Sequence, residues 1–225
     1  MKPEKGYFIT FEGMDGSGKT TQIRALSTAL TEQGINHIVT REPGGTTEGE
    51  HLRSLLLTQS QFKKSRQGDF QGLSPLSQAL IFSGARRHHL ETVIWPALKK
   101  GTWVLCDRYE DSTQIYQGVV GGLSQSVLEK IKTVTMHPHL QLSMPDLTFV
   151  LMLSPEESFH RCQKESDNVF DYAPLAMYRK VFQGYETLAQ REDRCIAIDA
   201  SKNIQTVTND ILSHIPFSKR KTCNA

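Results

Sequence analysis

Near the N-terminus, the run Gly13-Met14-Asp15-Gly16-Ser17-Gly18-Lys19-Thr20 has the residue types and spacing for chemistry on polyphosphates. In the pattern G-x-x-x-x-G-K-[ST], glycines let successive backbone N–H groups turn inward around phosphate oxygens. The helix that follows adds its partial positive charge, Lys19 adds a full one, and the Thr20 hydroxyl can ligate Mg²⁺. The same pattern also occurs in ordinary turns, so its surroundings decide. Tyr7-Phe8-Ile9-Thr10-Phe11-Glu12 before it reads as a strand, and Ile23, Leu26 and Leu30 after it stand at helical spacing. A phosphate loop implies a nucleoside triphosphate and leaves open where the γ-phosphoryl goes. Arg41, in Thr40-Arg41-Glu42-Pro43-Gly44-Gly45-Thr46, and Arg108, in Asp107-Arg108-Tyr109, can each grip a further phosphate in bidentate fashion. A site that activates water has no need of them, so they suggest a second anionic substrate. The plain alternative for Arg108 is an ion pair with Asp107. No N-K-x-D element for guanine is found, and motor and transporter ATPases usually need longer chains.

The elements that must position these groups alternate. After the loop helix, Gly34 suits a C′ position and Ile35 to Val39 reads as a strand. A helix follows, with Thr47 and Glu50 spaced as a capping box. Residues 59–73 are polar and basic, without periodicity, and read as a surface loop. Ser74-Pro75 opens a long helical pattern ending near Gly101, which Pro96 is expected to kink or restart. Thr102 to Cys106 is a buried strand. The stretch with Ser112, Thr113, Tyr116 and Gln117 is helical, Gly118 to Gly122 breaks it, and Val127 to Val134 marks another helix. Leu147 to Leu153 reads as a strand buried on both faces, and Ser154-Pro155-Glu156-Glu157 opens a helix. Leu175 to Ala189, Ile196 to Ile198 and Val207 to Leu212 give helix, strand, helix. The expectation is one domain over 1–225, a three-layer α/β/α fold of the P-loop NTPase type with five parallel strands. The ligand crevice then lies beyond the strands' carboxyl ends, where the glycine loop, Arg41 and Asp107-Arg108 all fall.

The 225 residues, 38% hydrophobic and 22% charged, describe an ordinary globular chain. No apolar run approaches the ~18 residues of a membrane span, and Met1 to Lys5 lacks the apolar stretch of a signal peptide, so a cytoplasmic protein without a membrane partner is expected. Cys106, Cys162, Cys195 and Cys223 show no C-x-x-C pairing and read as reduced thiols. A net charge of +2 is too small to imply nucleic acid, and Lys219-Arg220-Lys221 reads as a solvated tail. His88 and His89 diverge on a helix and His137 and His139 flank Pro138, which suggests no histidine metal site.

Phe11-Glu12-Gly13 through Thr20-Thr21-Gln22, Thr40 to Thr46, and Asp107-Arg108-Tyr109 through Ser112-Thr113 to Tyr116-Gln117-Gly118 together resemble the bacterial type of thymidylate kinase, a family of P-loop nucleoside monophosphate kinases. The similarity runs from about Gly6 to Ile211. It implies transfer of the γ-phosphoryl of ATP to dTMP with Mg²⁺, in a homodimer. Carried over, the family pattern puts Gly13, Met14, Asp15, Gly16, Ser17, Gly18, Lys19, Thr20 and Thr21 around ATP, with Thr20 and Asp107 organising Mg²⁺ directly or through water. Asp15 would also meet the 3′-hydroxyl of dTMP, and Arg41 and Arg108 its phosphate. Phe82 would stack on thymine, Arg86 would donate to its carbonyl, Thr113 and Gln117 would finish the base edge, and Tyr116 would crowd the 2′ position. Core packing on an amphipathic helix is the alternative for Phe82. Lys19, Asp107, Arg108 and Arg161 are the expected catalytic set. A phosphate monoester is already a nucleophilic anion, so positioning and charge neutralisation suffice and no catalytic histidine is needed.

The pattern departs from the family in the lid, residues 160–173. Members without an arginine in the phosphate loop, as here with Met14 and Gly16, usually supply several from this segment. This chain offers Arg161 and Lys164, and Asn168 stands where arginine is often found. Arg161 is therefore expected to carry most of the lid's charge, the alternative being that it covers helix surface. Two rival readings remain. A deoxynucleoside kinase would need a carboxylate base for a 5′-hydroxyl, and a silent nucleotide-binding regulator would bind ATP without turnover.

Overall fold

The computed structural model describes residues 5–62, 73–165 and 174–217. The strands are β1 (Phe8–Gly13), β2 (His37–Arg41), β3 (Trp103–Asp107), β4 (Leu147–Met152) and β5 (Cys195–Asp199), all parallel, in the order β2-β3-β1-β4-β5. The helices are α1 (Lys19–Glu32), α2 (Thr47–Phe62), α3 (Pro75–His89), α4 (Trp95–Lys99), α5 (Glu110–Thr113), α6 (Gln125–Met136), α7 (Leu140–Ser143), α8 (Pro155–Glu165), α9 (Leu175–Arg191) and α10 (Ile204–Ser213). This is the expected three-layer α/β/α arrangement with its five-stranded parallel sheet.

Strand alternation sorts the sheet into two buried faces. Ile9, Phe11, Leu105, Phe149 and Leu151 pack with Ile23, Leu26 and Leu30 of α1 and with Val207 and Ile211 of α10. On the opposite face, Phe8, Val104 and Cys106 meet Leu90, Ile94 and Leu98, and Val150 meets Tyr178, Val181 and Tyr185 of α9. Glu12 has the parity of Phe8 and therefore points into the α9 side. Cys106 and Cys195 are buried outside any disulfide. Among the described residues no helix is long and apolar enough to cross a membrane, and no group of His, Cys, Asp or Glu could hold a metal ion by itself.

Several element boundaries differ from the periodicity reading. Ile35 belongs to the end of α1: Gly34 has φ +66°, Ile35 N donates to Leu30 O, and the Ile35 side chain is buried. That hydrophobic closure delays β2 to His37 and makes Arg41 its last residue. The cap of α2 is Thr46, whose Oγ1 accepts from Gly49 N at 2.9 Å, so Thr47 is already helical. The long pattern after Ser74 breaks one turn before Pro96. A π-helical segment, Leu90–Ile94, separates α3 from α4, and the wider turn accommodates a residue that has no N–H to donate. A second such segment, Gln114–Val120, carries the helix through Gly118, and the break comes at Gly121–Gly122, where Gly122 has φ +76°. Ser154 caps α8 as expected, its Oγ accepting from Glu157 N. The surface loop 59–73 falls largely outside the described residues, α2 being helical to Phe62. The lid beyond Glu165, with Asn168, also lies outside them, as do Lys219-Arg220-Lys221 and Cys223.

Candidate active site

The glycine loop leaves β1 with Gly13, Gly16 and Gly18 at φ +132°, +74° and +91°, values that a side chain would strain. A Cβ on Gly16 would lie 3.0 Å from Cβ of Arg161, so the loop is backed closely by α8. Ser158 Oγ donates to Asp15 O, and Arg161 Nη1 donates to Gly16 O at 3.2 Å while its other Nη pairs with Glu157. Arg161 thus stands at the rim of the phosphate loop. Lys19 Nζ folds over the loop, donating to Met14 O at 2.8 Å and Gly13 O at 3.2 Å. Burial and the neighbouring Arg108 push its pKa down, against Asp15, Asp107 and Glu12. The first turn of α1 holds no acidic residue, and Ser17 Oγ is buried with no hydrogen-bond partner among the described residues, an arrangement that suits an anion. Thr20 Oγ1 donates to Asp107 Oδ2 at 3.2 Å. This hydroxyl and carboxylate beside a phosphate loop are the hard oxygen donors that suit Mg²⁺ completed by phosphates and water.

Asp107 also sets the level of the second half of the site. In the sheet register it faces Phe11 of β1 and Arg41 of β2, so all three lie at one height on the carboxyl edge. Arg108 follows, and it pairs not with Asp107 but with Asp15: Nη2 lies 2.6 Å from Asp15 Oδ1. Although the Asp15 side chain is 55% exposed, its crowded surroundings would raise its pKa, but the charges of Arg108 and Lys19 outweigh this and hold the carboxyl at about 2. Arg108 has φ +63°, alone in that region among the described non-glycine residues, a conformation that costs about 1–3 kcal/mol and that surrounding contacts must enforce. Its Nη1 donates to Ser112 Oγ at 3.2 Å and Tyr185 Oη at 3.4 Å, and its guanidinium lies 5.4 Å from the centre of the Tyr116 ring.

Arg41 is held by Glu50, Nε at 3.2 Å and Nη2 at 2.8 Å. Glu50 Oε1 accepts from Gly45 N as well, so the expected capping carboxylate of α2 instead fastens the loop after β2. Arg53 of α2 belongs to no local motif. It is half-buried, donates to Pro43 O at 3.1 Å, and has its pKa lowered by burial and by Arg41 and Arg108. Arg53 thus lies within electrostatic reach of both Arg41 and Arg108.

On the expected base-binding side, Phe82 is half-buried on α3. Arg86 is buried and donates to Glu42, Glu110 and Thr113 Oγ1, while its guanidinium lies 5.1 Å from the Tyr109 ring centre. Burial opposes its charge, yet Glu42 and Glu110 keep its pKa above the usual value. Those three bonds leave two of the five guanidinium donors for another acceptor. Gln117 is buried and donates to Gln78 Oε1 at 3.0 Å. Tyr116 lies beneath Arg108, and burial raises its pKa to about 12, so it stays a neutral phenol.

The residue most conspicuously missed is Glu12. It is fully buried, and burial together with the Asp111 charge raises its pKa to about 7, against Arg108, Ser112 and Tyr185. Its position on the α9 side follows from strand alternation, but its partners come from other elements, which no local pattern marks.

The family profile described as Thymidylate kinase matches residues 11–211. The chain belongs to the thymidylate kinase family. It is 38% identical over 212 residues to a thymidylate kinase of Prochlorococcus marinus (strain MIT 9312), covering 92% of this chain and 94% of that protein. It is 39% identical over 208 residues to one of Symbiobacterium thermophilum, covering 91% and 90%. A crystal structure of thymidylate kinase from Ehrlichia chaffeensis superimposes with a TM-score of 0.71 at 31% identity, covering 93% of this chain and 98% of that one. The phosphate loop, the Arg41 loop and the Asp107-Arg108 turn of this family member all leave the carboxyl edge of the sheet.

Proposed function

We propose that the chain transfers the γ-phosphoryl group of ATP to dTMP, giving ADP and dTDP. The observation that carries this reading is the contact of Arg108 with Asp15, 2.6 Å apart, with Lys19 Nζ 3.9 Å from the same carboxylate. It brings an arginine suited to an acceptor phosphate up against the loop suited to the donor. The backbone of the glycine loop and Lys19 hold the ATP phosphates. Arg41, Arg108 and Arg53 hold the phosphate of dTMP, and Asp15 meets its 3′-hydroxyl. Phe82, Arg86, Thr113 and Gln117 frame the base, with Tyr116 against the sugar. Thr20 and Asp107 would hold Mg²⁺, which when bound neutralises phosphate charge during transfer. Arg161, at the loop rim, neutralises charge on the transferring phosphoryl in the absence of an arginine within the loop. Repulsion between two phosphate chains is the main obstacle, and it grows as water leaves the site, so this density of fixed positive charge is the catalytic asset.

A homodimer accompanies this reading, and the exposed apolar residues Leu55 on α2 and Leu80 on α3, helices that pack together, supply a surface for it. A cytoplasmic location also accompanies it, because both substrates are nucleotides of that compartment. ADP release measured with ATP, Mg²⁺ and a panel of monophosphate acceptors tests the activity. Turnover of dTMP well above dUMP, dCMP and thymidine is expected, and turnover of thymidine alone would replace this reading by a nucleoside kinase.

A further inference from the structure

Glu12 Oε1 accepts from Tyr109 N at 2.7 Å and Ser112 N at 3.2 Å, and Oε2 accepts from Ser112 Oγ at 2.7 Å and Tyr185 Oη at 2.8 Å. The same two hydroxyls are the ones on which Arg108 Nη1 rests. We infer that Glu12 is a positioning residue which, through the hydroxyls of Ser112 and Tyr185, holds the Arg108 guanidinium toward the acceptor phosphate. The inference rests on the proposed role of Arg108.

The direction of the hydrogen bonds carries the argument. A guanidinium has donors only, so a hydroxyl that meets Arg108 must accept from it. Each hydroxyl has one proton and two lone pairs: one lone pair accepts from Arg108, and the proton goes to Glu12 Oε2 in preference to the other hydroxyl, 3.2 Å away, because the carboxylate oxygen is the stronger acceptor. In its ionised form the carboxylate therefore fixes which way both hydroxyls point, and they in turn present oxygen to Nη1. The two backbone N–H groups on Oε1 pin the carboxylate and close the turn that keeps Arg108 in its left-handed backbone conformation. Three elements meet at this one side chain: β1 through Glu12 itself, α5 and its leading turn through Tyr109 and Ser112, and α9 through Tyr185. A carboxylate that only capped α5 would need the backbone bonds and not the paired hydroxyls.

Glu12→Gln is close to isosteric and separates these roles. Oε1 must remain an acceptor for two N–H groups, so the new amide NH₂ would take the Oε2 position and face the hydroxyls as a donor. They would accept from it and turn their protons toward each other or toward Arg108, which weakens their hold on Nη1. The test measures affinity by calorimetry for dTMP, for thymidine, which lacks the phosphate, and for ATP. Wild type, Glu12→Gln, and a Ser112→Ala/Tyr185→Phe double variant that keeps the Glu12 backbone bonds are compared. Both variants are expected to bind dTMP about tenfold more weakly while thymidine and ATP stay within about twofold of wild type. Unchanged dTMP affinity in the double variant, or equal loss for dTMP and thymidine, would overturn the inference alone. A wild-type protein that binds dTMP no better than thymidine would remove the acceptor-phosphate reading and this inference with it. Should Glu12→Gln not fold, the double variant decides.

Discussion

Arg108 and Asp15 stand 93 residues apart in the chain and 2.6 Å apart in space, Nη2 to Oδ1, so the carboxylate of the phosphate loop is tied to the arginine that follows β3. Because Asp15 is held at about 2, it is an anion at every working pH, an acceptor for a sugar hydroxyl as well as for Arg108. Wild-type enzyme should therefore prefer dTMP to its 3′-deoxy analogue by about tenfold or more in kcat/KM, the usual worth of a hydrogen bond to a charged group. Asp15→Asn should lose most of that preference. A ratio that stays the same in the variant would remove the 3′-hydroxyl from Asp15.

Thr20 and Asp107 should reveal themselves through magnesium. With one hard oxygen donor removed in Thr20→Ala or Asp107→Asn, the Mg²⁺ concentration for half-maximal rate should rise at least about tenfold, a size typical of altered metal shells. The titration is run at saturating ATP and dTMP. Identical Mg²⁺ curves for wild type and both variants would contradict the assignment.

Arg161→Ala separates lid chemistry from helix surface. As the arginine on the phosphate-loop rim, bonded to Gly16 O, it should lower kcat about a hundredfold with KM for dTMP little changed, as expected for a group that acts on transition-state charge. Full kcat in the variant would return Arg161 to a covering role on α8.

Glu12 should also leave a signature in stability. Its folded pKa, about 7, lies above the unfolded carboxyl value, so the native state binds the extra proton between the two. The associated stability is fully present below about pH 4.5 and is lost as pH rises through about 7. Denaturant unfolding of wild type minus Glu12→Gln should therefore show a difference that falls by a few kcal/mol over that window. A flat difference would mean that the burial of Glu12 is offset by its donors.

Much of the site was legible because its parts are local. The phosphate loop is consecutive residues between a strand and a helix, so its conformation and its affinity for anions follow from glycine freedom, helix polarity and Lys19. The alternation of elements likewise implied parallel strands, and their carboxyl ends are where the crevice had to be. Boundaries were less legible where side chains outside the pattern intervened. Ile35 closes α1 instead of opening β2, and Gly118 lies inside a π-helical segment held by packing on α9 and α6.

Which charge meets which was a matter for the tertiary structure alone. From the sequence, Arg108 could pair with its neighbour Asp107, yet adjacent side chains at a strand end diverge, and Arg108 reaches Asp15 instead while Asp107 takes Thr20. Glu50 had the spacing of a cap and became the clamp of Arg41, because the cap lay one residue earlier, at Thr46. Glu12 reads as one more residue of a motif until Tyr185, 173 positions away, brings its hydroxyl to it. By itself the sequence determined that this protein binds polyphosphate at the end of a parallel sheet, since short-range backbone chemistry suffices for that. The fold decided how the Arg108 guanidinium is aimed, since that depends on lone pairs and protons matched between elements that only packing brings together.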